Sequence, residues 1–263
     1  MSTARAAVAA SAERLLGWLA FVGAVAAWQV VATMGEARSV ASFGDSARAL
    51  VDILWGPDLA DHVLPSLGRV VAGFGVTALV GIGFGLLLGT FHGIEPWVRP
   101  VIEFLRAVPP PLIVPVAMMI MGLSGNVVIT VIVFGTLWPV LINTLDGASR
   151  VEPLYLDTAR VFRSPRWVVL RSVVLPASLP TIMAGLRTAL SISLIMLVLG
   201  EMLASSTGIG YLILTSQQTF DVPATYGGVL LLGLLGWTFD TLFVVIERRV
   251  LRWNSEFSGG SDV

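Results

Sequence analysis

Residues 70–91 read VVAGFGVTALVGIGFGLLLGTF. No charged side chain interrupts them, and about 20 mostly apolar residues are what a helix needs to cross a bilayer core. Four more runs of this kind surround the first, at residues 15–34, 126–145, 179–200 and 227–246. The run 179–200 holds a single charge, Arg187, and 227–246 holds a single charge, Asp240. A sixth run, 101–121, carries Glu103 and Arg106 and four prolines, Pro109, Pro110, Pro111 and Pro115. The first run is longer than the apolar core of a signal peptide and contains Trp18 and Trp28, so it reads as a span. The expected fold class is therefore an all-α polytopic membrane protein with six transmembrane helices.

The whole composition agrees. Of 263 residues, 56% are hydrophobic and 13% charged, where a soluble domain carries about 25% charge. The formal net charge of −1 offers no attraction to nucleic acid. All sixteen basic residues are Arg. A chain without Lys has no phosphate-loop lysine and no Schiff-base lysine. A chain without Cys has no thiolate ligand or nucleophile, and its two His, His62 and His92, do not make a metal cage, so no metal site and no catalytic residue are expected.

Arg placement sets the expected orientation. With the N-terminus inside, the inner segments hold Arg5, Arg14, Arg99, Arg150, Arg160, Arg163, Arg166, Arg171, Arg248, Arg249 and Arg252. The outer segments hold Arg38, Arg48 and Arg69. Both termini are then cytoplasmic. The organisation reads as a cytoplasmic N-terminus 1–14, a membrane domain 15–246 with an inner loop 146–176, and a cytoplasmic tail 247–263 whose polar end, 254–263, is expected to be disordered. The segment 35–67 is an outer loop.

Gly81, Gly85 and Gly89 follow at spacing four, preceded by Gly73 and Thr77. Small residues on one stripe let helices approach closely. The stripe serves packing within the chain or an interface between subunits.

The inner loop contains EPLYLDTARVFRSP, residues 152–165. Pro153 suits the first position of a helix, where its missing N–H is no loss. Tyr155, Ala159 and Phe162 then fall at i, i+4 and i+7, with Leu154 and Val161 beside them, and Asp157, Arg160 and Ser164 on the other face. This predicts an amphipathic helix over 153–164, stopped by Pro165. Such a helix lies on lipid headgroups or docks in a groove of a partner protein.

The same stretch resembles the EAA-type loop of ABC-importer permeases. Asp157-Thr158-Ala159 stand where E-A-A is expected, Leu175-Pro176 match the closing pair, and Arg163 replaces the usual glycine. Residues 105–115, LRAVPPPLIVP, with Gly122, look like the third span of the nitrate/sulfonate/taurine/bicarbonate branch. Further matches are 139–144 (PVLINT), Gly185-Leu186-Arg187, Glu201-Met202-Leu203, 205–213 (SSTGIGYLI), Glu247-Arg248-Arg249 and Leu251-Arg252-Trp253.

The resemblance implies a type I ABC-importer permease in the bacterial inner membrane. Its partners would be cytoplasmic ATPase subunits, an extracytoplasmic solute-binding protein and a second permease copy. ATP and Mg would be bound by the ATPase, leaving no cofactor in this chain. The solute would be small and anionic. The 153–164 helix would be the coupling helix, with Pro153, Leu154, Tyr155, Asp157, Thr158, Ala159, Phe162 and Arg163 at the contact. A stand-alone secondary transporter or channel is the competing class. It would show two related halves, and the sequence shows none. An intramembrane enzyme would need a His or paired-Asp constellation inside the spans.

Charges within spans are functional candidates because each is expensive in hydrocarbon. Arg187 lies about 16 Å along its helix from Pro176. It lines the path or pairs with Glu103 or Asp146. Glu103 and Arg106, at i, i+3, are placed to pair with each other. Together with Glu201, and with Pro109 and Pro110 where the third span breaks, these are the translocation-path or gate candidates. Arg163 is expected to keep ordinary backbone angles, with Ser164 before Pro165 supplying the bend.

Overall fold

The computed structural model describes residues 2–34, 40–90, 93 and 95–253. Among these it is all-helical. The long helices are α1 (Ser2–Met34), α3 (Leu64–Thr90), α6 (Gly125–Ser149), α9 (Leu175–Ala204) and α11 (Val222–Val250). Between them lie α2 (Phe43–Trp55), α4 (Glu95–Ala107), α5 (Ile113–Met121), α7 (Pro153–Val161), the short α8 (Arg166–Val169) and α10 (Ile209–Gln218). Five helices are long and apolar enough to cross a membrane. The expected tail 254–263 and His92 lie outside the described residues.

The sixth expected span is a bent pair. It begins at Glu95 rather than 101, and α4 meets the Pro110–Met121 segment at 79°. The prolines account for the break. Each removes an N–H and disfavours helical angles at the residue before it. Pro109 is extended at φ −61°, ψ 123°, and a single tight turn over Pro110–Leu112 restarts the chain into α5. The segment expected as an outer loop is largely helical over its described residues. It contains α2, capped by the Ser42 hydroxyl, which accepts from the Asp45 amide.

Helix α6 is the centre of the bundle, sandwiched between α3 and α9. Val127, Val128, Val131 and Ile132 are fully buried against Val70, Val114 and Leu197. Further along, Val140 packs with Ile182, Met183, Ala189 and Phe243. The glycine stripe on α3 faces α6. A methyl group on Gly73 would lie 2.7 Å from Ile132, one on Gly81 2.9 Å from Val140, one on Gly85 2.5 Å from Thr144, and one on Gly89 2.6 Å from Ala148. Between these contacts the Thr77 and Thr136 hydroxyls share a 2.7 Å hydrogen bond. The stripe is thus consumed by packing inside the chain.

Helix α1 is peripheral, with none of its apolar stretch Leu16–Met34 buried. Near its C-terminal end it is tied to residues 41–43. The Trp28 indole donates to the Ala41 carbonyl at 3.1 Å, and the Gln29 side-chain Oε1 accepts from the Phe43 amide at 3.0 Å.

Candidate functional site

Helix α7 sits between α6 and α9, at the end of the bundle where α3 finishes. Pro153 opens it and Glu152 precedes it in an extended conformation. Leu156 packs on a cluster of Leu86, Ala148, Val151 and Val174, and Ala159 is buried beside it. This inward face differs from the expected one. Of the predicted apolar set, Ala159 alone turns in. Leu154, Tyr155, Val161 and Phe162 point out, at 63%, 52%, 80% and 77% exposure. Four large apolar groups on one short helix and its C-cap are thus exposed among the described residues. Asp157 and Arg160 pair at 2.7 Å on the exposed surface, and Thr158 bonds back to the Leu154 carbonyl.

Arg163 overturns its expectation. Its φ is +51°, in the left-handed region. The Arg163 amide donates to the Arg160 carbonyl at 2.9 Å, and the Ser164 amide to the Ala159 carbonyl at 3.0 Å. These are the two bonds of a Schellman helix end, whose left-handed residue is usually glycine. The bend is therefore made by Arg163 itself. Its guanidinium enters no ion pair among the described residues.

The path candidates fall into three places. Glu103 and Arg106 line a cavity of about 140 Å³ between α4 and α6, together with Arg99, Ile102, Ile142, Leu145 and Asp146. The expected Glu103–Arg106 ion pair does not form; Arg99 pairs with Glu95 instead, at 2.5 Å. Pro109 and Pro110 stand at the α4–α5 break, where Pro110 approaches α6 at Gly135. Arg187 pairs with neither Glu103 nor Asp146. It reaches Asp240 on α11 at 3.3 Å and Glu247 at 3.9 Å, half-exposed. Both charges of the last span's run and its end are thus spent on one Arg across the α9–α11 seam.

Glu201 lies at the opposite end of the bundle from α7, fully enclosed. Its carboxylate accepts from Arg69 at 2.6 Å, from the Ser66 hydroxyl at 2.7 Å and from the Gly210 amide at 2.9 Å. From the sequence alone Glu201 is a path candidate and Arg69 an outer charge. A buried acid needs a buried base, and Arg69, near the start of a span, was the available signal.

The model of the family described as "Binding-protein-dependent transport system inner membrane component" matches residues 81–253, which includes α7, Glu201 and both ends of the Arg187 pair. The chain belongs to that family. It is the membrane-spanning permease of an ABC importer, and its relatives fall in the nitrate/sulfonate/bicarbonate branch. It is 33% identical to the "Bicarbonate transport system permease protein CmpB" of Synechococcus elongatus over 73% of this chain and 69% of that protein. It is 29% identical to the "Putative aliphatic sulfonates transport permease protein SsuC" of Bacillus subtilis over 89% of this chain and 86% of that one. A permease of this kind works with an ATPase and a binding protein.

Proposed function

We propose that this permease forms, as a pair of identical copies in a bacterial inner membrane, the translocation path for a small oxyanion-bearing solute. The relatives named for sulfonates and for bicarbonate support that solute class, since both are compact anions. Both termini face the cytoplasm, as the Arg distribution favours. The membrane domain runs over 15–246 and its coupling loop over 146–176. The chain itself is non-catalytic. ATP and Mg are held by the partner ATPase, consistent with a sequence that has no Lys for a phosphate loop.

The observation that carries this reading is α7. Its root is packed into the bundle by Leu156 and Ala159, while Leu154, Tyr155, Val161 and Phe162 stand free. A helix held rigidly by one face and offering an apolar comb on the other transmits a push along its root. Closure of the ATPase dimer on ATP moves α7 inward, α6 and α9 follow because α7 is joined to both, and the path opens to the far side. Hydrolysis resets it. Glu103 and Arg106 are placed on the path, and the Pro109–Pro110 break supplies the deformable joint. Arg187, neutralised by Asp240 and Glu247, serves as a seam between α9 and α11 rather than as an anion site.

The test is reconstitution in vesicles. The pure chain should hydrolyse no ATP. With its ATPase and binding protein it should take up a sulfonate or bicarbonate in an ATP-dependent way. Uptake by the chain alone down an ion gradient would instead establish a secondary transporter.

A further inference from the structure

One polar network joins three helices at the end of the bundle away from α7. Arg69 of α3 donates to the Glu201 carboxylate of α9 at 2.6 Å, to the Thr207 carbonyl at 2.8 Å and to the Thr207 hydroxyl at 2.7 Å. The loop that leads from α9 into α10 is held amide by amide. Gly208 donates to His62 Nδ1 at 3.1 Å, Ile209 to the Ser66 hydroxyl at 2.8 Å and Gly210 to Glu201 at 2.9 Å. Gly208 is left-handed at φ +114°, and any side chain there would meet the Glu201 carboxylate. Glu201 is fully enclosed and the Arg69 side chain is 11% exposed.

The network ties the end of α3 to α9 and to the loop that follows it. Separating Arg69 from Glu201 would strand two buried charges where no water can solvate them. Moving the α3 end away from α9 would also break the Gly208–His62 and Ile209–Ser66 bonds, releasing two backbone donors. The other joints are different in kind. The α4–α5 connection is already broken by prolines. The Arg187–Asp240 pair is longer, at 3.3 Å, and half-exposed.

We propose that Arg69–Glu201 is a permanent clamp, fixing the ends of α3, α9 and α10 as one rigid body throughout the transport cycle, so that opening occurs at other joints. Glu201 is then a positioning residue and not a wall of the path. The existence of a cycle rests on the permease reading above; the clamp itself does not.

Hydrogen–deuterium exchange of the assembled transporter reads it directly, through the amides of residues 208–210. Their exchange in the resting complex and during ATP turnover should agree within about twofold, because a closed network protects them in both. A tenfold or greater acceleration during turnover would show that the network opens each cycle and would overturn the proposal. Glu201→Gln keeps the side-chain shape and removes the charge. It should speed exchange at 208–210 about tenfold or more in the resting state, with ATP hydrolysis retained and transport per ATP reduced. Arg69→Lys should fall between the two. If Glu201→Gln exchanges like the parent protein, the network is not what holds the loop and the proposal fails. Failure of the permease reading looks different: the unmodified complex would show no ATP-driven uptake, while the resting comparison with Glu201→Gln would still decide the clamp.

Discussion

The Ser164 amide donates to the Ala159 carbonyl, five residues back, at 3.0 Å, and Arg163 is left-handed between them. The position where the EAA-type resemblance expects glycine is held by an Arg in the left-handed conformation that glycine favours. An L-residue held left-handed costs about 1–2 kcal/mol, and the two Schellman bonds, with a buried Ala159, hold it there.

Arg163→Gly should therefore relieve strain, raising stability by about 1 kcal/mol, whereas Arg163→Ala should not, since alanine meets the same steric conflict. Thermal unfolding of the detergent-solubilised permease checks this. Equal melting temperatures for Gly and Ala variants would mean that the position has no conformational demand.

Asp157 and Arg160 pair on the exposed surface of α7, and neither supports the bundle. Asp157→Arg should insert normally yet uncouple ATP hydrolysis from uptake or prevent assembly with the ATPase. Normal uptake at normal ATP cost would move α7 to the lipid headgroups.

Arg187 meets Asp240 at 3.3 Å with both side chains about half-exposed. Both lie in candidate spans, and Arg187 also faces the buried Glu247, so removing it would leave two acids without their counter-charge. Arg187→Ala should therefore destabilise the α9–α11 seam, and the exchanged pair Arg187→Asp with Asp240→Arg should recover most transport. If the exchanged pair is inactive while Arg187→Lys is active, Arg187 acts on the solute by its charge at that point.

Gly85 lies where an added methyl group would come 2.8 Å from the Leu141 carbonyl as well as against Thr144. Because backbone cannot swing aside, Gly85→Ala should destabilise by about 1–3 kcal/mol. Gly83, with open space around it, should accept Ala freely. Melting of the two variants side by side tests the α3–α6 seam.

The spans were legible because uncharged runs of this length have few other uses, and the inward face of α3 was legible in its glycine spacing. The bend in the third span was legible in kind, from Pro109 to Pro111, but not its early start, because Glu95 and Arg99 offset each other on one turn and hide a helix among polar residues. Pairing across long sequence distances was not legible. Arg69 and Glu201 are 132 residues apart, and Arg187 had several acids to choose from, so that only the packing of α9 against α11 selects Asp240. At Arg163 a sound local rule lost to context: the steric cost of a left-handed Arg is real, but the Schellman bonds exceed it. On α7, periodicity found the helix, while which apolar side chains turn inward is set by the α6 and α9 ends that grip it.

The central claim is that the free face of α7 is where the ATPase binds. A photo-crosslinking amino acid placed at Phe162, which is exposed, should form an adduct with the ATPase subunit in the assembled membrane complex. The same probe at Leu156, which faces the bundle, should not. Crosslinks from Phe162 to lipid alone, in a complex that still couples ATP hydrolysis to uptake, would contradict the account.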